Sequence, residues 1–288
     1  MKLIIYFIQF IIIAILFIIF KIIGYSNASN LGSTIGKIFG RFIRAEKTIL
    51  KNIDQINTKS NIKLENKDKL VNDVFSNYGR ILSDYMYLNK FRYGNLRKFV
   101  NVEGDNYLEE IYSKNKRVVF ISGHFNNFEL MAMFISAKGI KLSAIYRPLN
   151  NIFLNKIMEY LRIKYICKYQ IKKGKSGTRD LLKYLKNNFS VALMIDQRVS
   201  EGIKSDFFGK PAYTTTIPAQ IIKKFDCEIV PVFIERCEKV KFNLIFEKPI
   251  KFDKNQSVEE ITFKLNKILE KMILKNPSQW ILTHNRWK

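Results

Sequence analysis

Residues 117–139 read "RVVFISGHFNNFELMAMFISAKG". The opening "RVVFIS" is an unbroken apolar run of strand length, fit for a buried strand. A turn rich in Gly and Asn follows. "NFELMAMFISAKG" then has the length and composition of a helix, and Gly139 is placed to end it. Working outward, the same alternation recurs. "KLSAIYR" (141–147) reads as a strand, 151–162 as a helix, "KYIC" (164–167) as a strand, the region near 177–187 as a helix and "SVALMID" (190–196) as a strand. Strands alternating with helices of this length predict parallel pairing.

Further on, "EIVPVFIER" (228–236) and "KFNLIFEKPI" (241–250) predict an antiparallel pair, followed by a helix over 257–275. Residues 54–114 read as helical and partly polar. Residues 197–216, "QRVSEGIKSDFFGKPAYTTT", read as a long irregular loop of a length often tied to function. The predicted class is α/β: a mixed, mainly parallel sheet flanked by helices, with an N-terminal membrane-anchor helix.

That anchor is read from residues 3–23, "LIIYFIQFIIIAILFIIFKII". A helical span needs about 20 apolar residues. The run is longer than the apolar region of a signal peptide, and "GYSNAS" is a poor cleavage site, so an uncleaved anchor is expected. Only Lys2 precedes it, whereas Lys37, Arg41, Arg44 and Lys47 follow. The positive-inside rule therefore puts the following domain, 25–288, on the cytoplasmic side of an anchor, 1–24. Residues 35–53 are amphipathic at helical spacing, with Ile35, Ile38, Phe39, Phe42, Ile43, Ile49 and Leu50 on one face. Two readings stand: a surface helix packed on the core, or a helix lying on an anionic bilayer.

Composition narrows the partners. The chain has 288 residues and a formal charge of +24, from 49 Lys+Arg against 25 Asp+Glu. Such an excess attracts anionic partners. Cys167, Cys227 and Cys237 form neither a CxxC nor a metal-spaced cluster, so they predict reduced thiols and no metal site. "KKGKSG" (172–177) lacks phosphate-loop spacing, which argues against nucleotide binding, and no nucleic-acid module appears.

The chemistry points to "SGHFNNFE" (122–129). His124 falls where the first strand ends, at the side of an α/β sheet where ligands gather. Its ordinary pKa suits a general base, and Glu129 could orient it. Residues five apart in one helix point about 140° away from each other. The pair therefore requires His124 in the loop and Glu129 in the first helical turn. Asn126 and Glu129 also have the spacing of a capping box, which would give Glu129 a purely local role.

Further pieces carry a resemblance: the apolar N-terminus, "GHFNNFE" (123–129), "IYRP" (145–148), "MIDQR" (194–198), "FFGKPAYTT" (207–215) and "PSQWILTHNRWK" (277–288). In this order they resemble the lysophospholipid acyltransferase superfamily. The nearest branch is the bacterial lipid A biosynthesis acyltransferases, the lauroyl/myristoyl transferases. Glu rather than Asp at 129 favours that branch. The resemblance implies transfer of a fatty acyl chain from acyl carrier protein to a hydroxyl of a lipid A precursor at the inner membrane, with no cofactor and no metal. His124 would be the base and Glu129 its partner. Arg147 would bind phosphate or the oxyanion.

Asp196, Gln197 and Arg198 would line the site, although Asp196 also suits a simple turn start. Phe207 and Phe208 would close over the acyl chain around a turn at Gly209, or belong to the core. His284, Arg286 and Trp287 read as structural or interfacial. Two other functions remain open: acyl transfer to a glycerophospholipid or a glycosylated inositol lipid, and a non-catalytic basic protein tethering nucleic acid or acidic partners to the membrane.

Overall fold

The computed structural model describes residues 1–43, 46–59 and 66–288. The chain opens with helices: α1 Lys2–Ile23, α2 Tyr25–Ile43, α3 Glu46–Lys59, α4 Lys67–Asp84 and α5 Leu88–Tyr93. Then come β1 Val100–Glu103, α6 Asp105–Ser113, β2 Val118–Ser122, α7 Glu129–Ala137, β3 Leu142–Tyr146, α8 Ile152–Leu161, β4 Tyr169–Lys172, α9 Lys175–Lys186 and β5 Ser190–Met194. The last part holds β6 Ile203–Phe207, β7 Lys210–Thr214, α10 Ile217–Phe225, β8 Glu228–Arg236, β9 Phe242–Phe246 and α11 Val258–Lys275.

Seven strands form one sheet in the order β1-β9-β8-β2-β5-β3-β4. Every neighbouring pair is parallel except β8 with β9. The mixed, mainly parallel sheet expected from the sequence is therefore present. All five residues of β2 are buried, which its unbroken apolar run requires of a central strand. Val119 faces Val191 of β5 on one side and Ile229 of β8 on the other.

Three expectations are corrected. "KYIC" is not a strand: α8 runs on into a π turn, Arg162–Ile166, and the edge strand β4 comes after it. Residues 197–216 are not irregular throughout, because β6 and β7 pair as a hairpin over 203–214. Its two-residue turn, Phe208-Gly209, has φ of 50° and 71°. A left-handed pair of this kind matches the twist of the flanking strands, and Gly209 adopts it without steric cost. The helical reading of 54–114 missed the short parallel strand β1.

Of the amphipathic stretch 35–53, the described residues belong to α2, which ends at Ile43, and α3, which begins at Glu46; Arg44 lies outside the described residues. α2 packs on α4 through glycines: a Cβ on Gly79 would sit 1.8 Å from the carbonyl oxygen of Gly32. Ile49 is buried, whereas Ile38, Phe39 and Phe42 are exposed.

α1 has 22 residues, about 33 Å of helix, and is long and apolar enough to cross a membrane. It also rests on the rest of the chain. Phe17 and Phe20 are buried, and the Tyr87 hydroxyl donates to the Phe20 carbonyl. Asn151 donates to the Tyr6 carbonyl at 2.8 Å. The outer face, including Ile4, Ile8, Ile11, Ile15 and Ile18, is exposed.

Candidate active site

β2 and β5 are parallel neighbours with Ser122 opposite Met194. Two residues beyond each strand end, the same register brings His124 beside Asp196. The contact is double: Asp196 Oδ1 lies 2.7 Å from His124 Nδ1, and Asp196 Oδ2 accepts from the His124 backbone N–H at 2.7 Å. The Trp280 indole N–H donates to the same Oδ2 at 2.9 Å. Asp196 is fully buried and is the partner of the histidine, a closer role than lining the site.

Burial alone would hinder charging of His124. The Asp196 charge and hydrogen bond outweigh it, with help from Glu129, and raise the ring's pKa above the ordinary histidine value. Burial would likewise raise the Asp196 carboxyl, but the His124 charge and the converging N–H donors hold it below the ordinary carboxylate range. A ring whose Nδ1–H faces a carboxylate keeps its Nε2 lone pair free to accept a proton. Phe128 packs edge-on against the ring at 4.9 Å.

The helix boundary falls as the spacing demands, with His124 in the loop and Glu129 opening α7. The partnership expected of Glu129 is corrected. Its Oε1 accepts from the Tyr85 hydroxyl at 2.8 Å and from Arg162 Nε at 2.7 Å, with the second Arg162 nitrogen at 2.6 Å. It reaches His124 through charge rather than through a hydrogen bond. The Glu129 charge outweighs burial at Arg162 and pushes its guanidinium pKa up.

Nor does Asn126 cap the helix: Phe128 occupies that position. Asn126 has φ of 38°, and its amide donates to Asn77 at 2.5 Å and to Gln279 at 2.7 Å. Asn127 donates to Asp84 at 3.0 Å, and Asp84 forms a buried ion pair with Arg236. The two asparagines thus fasten the loop that carries His124.

His124 and Glu129 open onto a cleft of about 560 Å³, together with Arg147, Arg162, Gln197 and His284. Other predicted residues lie elsewhere. Phe207 and Phe208 are buried against Trp287, with ring centroids 5.5 Å and 6.5 Å away, and neither lines the cleft. They are core. Gly209 turns the hairpin beside Lys59. The Arg198 side chain donates to the Lys288 carbonyl at 2.8 Å and lies over the Tyr213 ring, so only its backbone reaches the site.

Sequence reading missed Arg162 and Tyr85. One signal was available: Glu129 heads the strongly apolar "ELMAMFISA", and a carboxylate buried there needs a cation. Among the described residues no group of His, Cys, Asp and Glu could hold a metal ion.

The model of the bacterial lipid A biosynthesis acyltransferases matches residues 1–288. The chain belongs to that family. Curated relatives agree with it. The lipid A biosynthesis palmitoleoyltransferase of Escherichia coli (strain K12) is 22% identical over 267 residues, covering 90% of this chain and 84% of that protein. A lipid A biosynthesis acyltransferase of Shigella flexneri matches to the same extent. A second Shigella flexneri protein, lipid A biosynthesis acyltransferase 2, is 23% identical over 189 residues, covering 64% of this chain and 60% of its own length. Family membership makes the chain an acyltransferase of lipid A biosynthesis. Its apolar N-terminal helix fits association with a membrane.

Proposed function

We propose that this acyltransferase moves a fatty acyl group from an acyl carrier protein thioester to a hydroxyl of a lipid A precursor, at the cytoplasmic face of the inner membrane. The observation that carries the mechanism is the His124–Asp196 pair at the cleft. His124 Nε2 takes the proton of the acceptor hydroxyl as its oxygen attacks the thioester carbonyl carbon. The tetrahedral intermediate then collapses, the C–S bond breaks, and the leaving thiolate receives the proton from His124. Asp196 fixes the ring's tautomer and stabilises the imidazolium while it exists. Glu129 acts at one remove, holding Arg162 at the cleft wall and adding negative charge near the ring.

Arg147 lines the cleft and suits a phosphate of the acceptor or the developing oxyanion. Gln197 lies where it could bond either substrate. The excess positive charge supports an acidic carrier protein and a phosphorylated sugar acceptor. α1 serves as anchor for the domain over 25–288, and exposed Ile38, Phe39 and Phe42 on α2 supply a second apolar contact with lipid.

The test incubates membranes bearing the protein with carrier-protein thioesters of several chain lengths and a tetra-acylated lipid A precursor. Mass spectrometry should find one added acyl chain. Transfer only to a glycerophospholipid, or only from a donor other than carrier protein, would refute the corresponding half of the proposal.

A further inference from the structure

The chain has two histidines, and both line the same cleft. The second, His284, sits in an irregular C-terminal tail that is tied down on both sides of it. Before it, Trp280 bridges to Phe125 and bonds Asp196. Asn52 donates to the carbonyls of Leu282, at 2.8 Å, and of His284 itself, at 2.7 Å. After it, Arg286 donates to the Tyr213 carbonyl and the Thr214 hydroxyl, both at 2.6 Å. Packing of this kind fixes a side chain before any ligand arrives.

The ring's one hydrogen bond among the described residues sets its tautomer. His284 Nε2 accepts from the Arg198 backbone N–H at 2.9 Å. A nitrogen that accepts carries no proton, so a neutral ring holds its hydrogen on Nδ1. That N–H has no acceptor in the protein among the described residues. The ring lines the cleft, so this N–H is placed to meet a group that occupies it.

His124 has the opposite arrangement, with Nδ1 committed to Asp196 and no partner on Nε2 among the described residues. The cleft thus carries one imidazole that can take a proton and one that can offer a hydrogen bond. The charges around His284 keep it in the offering form. Burial is the main force against protonation; the Asp196 charge opposes it, but Arg286, His124 and Arg198 add to it, and the ring's pKa falls below the ordinary value.

We propose that His284 is a catalytic hydrogen-bond donor whose Nδ1–H binds the thioester carbonyl oxygen as it becomes the tetrahedral oxyanion, while His124 takes the acceptor's proton. This role rests on the acyl-transfer reaction proposed above. His284 keeps its proton throughout and forms no covalent bond. A neutral imidazole held in place gains hydrogen-bond strength as charge develops on the oxygen, and this favours the transition state over the bound substrate.

Two substitutions separate this role from a structural one. His284→Gln can still accept from the Arg198 N–H with its amide oxygen but removes the donor at the Nδ1 position. His284→Asn can place an N–H near that position but leaves Arg198 without its acceptor. The donor role predicts that His284→Gln melts with the wild type, loses about 10²- to 10³-fold in kcat and keeps KM within about twofold, and that His284→Asn recovers part of the loss. A structural role predicts the reverse order, with His284→Gln near full rate, and that result would overturn the proposal.

A readout independent of activity uses wild-type protein labelled with ¹⁵N-histidine. Two ring systems appear, and His124 is assigned by its loss in His124→Ala. His284 should show a neutral ring with the proton on Nδ1 at neutral pH. A proton on Nε2, or an imidazolium, would overturn the proposal. Absence of transfer by the wild type to any lipid acceptor would overturn the reaction and this role together. Full activity of His284→Gln beside an active wild type would overturn this role alone.

Discussion

Asp196→Asn replaces one oxygen by an amide nitrogen and leaves the volume unchanged. Asp196 Oδ2 accepts two N–H groups, from the His124 backbone and Trp280, while Oδ1 faces His124 Nδ1. The new amide can satisfy both donors only with its oxygen at the Oδ2 position. Its NH₂ then points at His124 Nδ1 and can only donate. The ring must accept there and carry its proton on Nε2, which removes the base. A loss of the tautomer should cost two to four decades in kcat, about 3–5 kcal/mol of transition-state stabilisation.

The pH profile moves as well. In the wild type the base appears only above the raised pKa of His124, so the acid limb lies above the ordinary histidine value. Without the carboxylate, burial is the chief remaining influence, and the limb of any residual activity should fall.

Stability follows the linkage signs. His124, raised in the folded state, contributes stability present below its unfolded value and lost as pH rises through the folded one. Asp196, depressed, contributes stability present above its unfolded value and lost as pH falls through the folded one. The two windows overlap between the unfolded values, about 3.9 and 6.5. The melting-temperature gap between wild type and variant should therefore be widest near pH ~5 and narrow as pH rises through the folded value of His124. Initial rates by product mass and thermal melts across pH check both claims. An Asp196→Asn enzyme within threefold of the wild-type rate, with an unmoved acid limb, would show that Asp196 does not set the tautomer of His124.

Other substitutions probe the surroundings. Glu129→Gln leaves the Arg162 guanidinium, with only 12% of its side chain exposed, without its counter-charge; a cost of about 3–5 kcal/mol is expected, read in urea denaturation, together with lost activity. An unchanged midpoint would show that the pair contributes nothing. Arg147→Ala should raise KM for a phosphorylated acceptor about tenfold, near 1.4 kcal/mol, with smaller loss in Arg147→Lys; equal KM in all three enzymes would remove Arg147 from the site. Phe207→Ala opens a hole in the core beneath Trp280 and Trp287 and should cost about 3–5 kcal/mol. A changed acyl-chain preference at unchanged stability would instead return Phe207 to the acyl pocket.

The middle of the sheet was legible because β2, β5 and β8 are mostly apolar, mostly buried runs, a pattern set by burial on both faces. Legibility ended where tertiary contacts decide local form. "KYIC" has strand composition, yet α8 continues as a π turn that brings Arg162 to Glu129. The glycines at 32, 36 and 79 matter only because two helix backbones approach each other there.

In the site, His124 was legible from its place after a strand, but its partner was not. Spacing along the chain favoured Glu129, five residues away. Strand register chose Asp196, 72 residues away, because two parallel strands end side by side. Phe207 and Phe208 looked like acyl-chain contacts while 197–216 read as a loop. Paired as a hairpin, the same residues turn into the core. His284 carried no local sign of its role, since its tautomer depends on a backbone N–H 86 residues distant.

Acyl transfer at this cleft is expected to depend on the His124 imidazole. The most direct test compares wild type and His124→Ala in one assay with carrier-protein thioester and tetra-acylated precursor, following the mass of the acceptor. The wild type should add one acyl chain and His124→Ala none above background, the variant remaining folded and membrane-bound. Equal gains by both proteins would contradict that dependence.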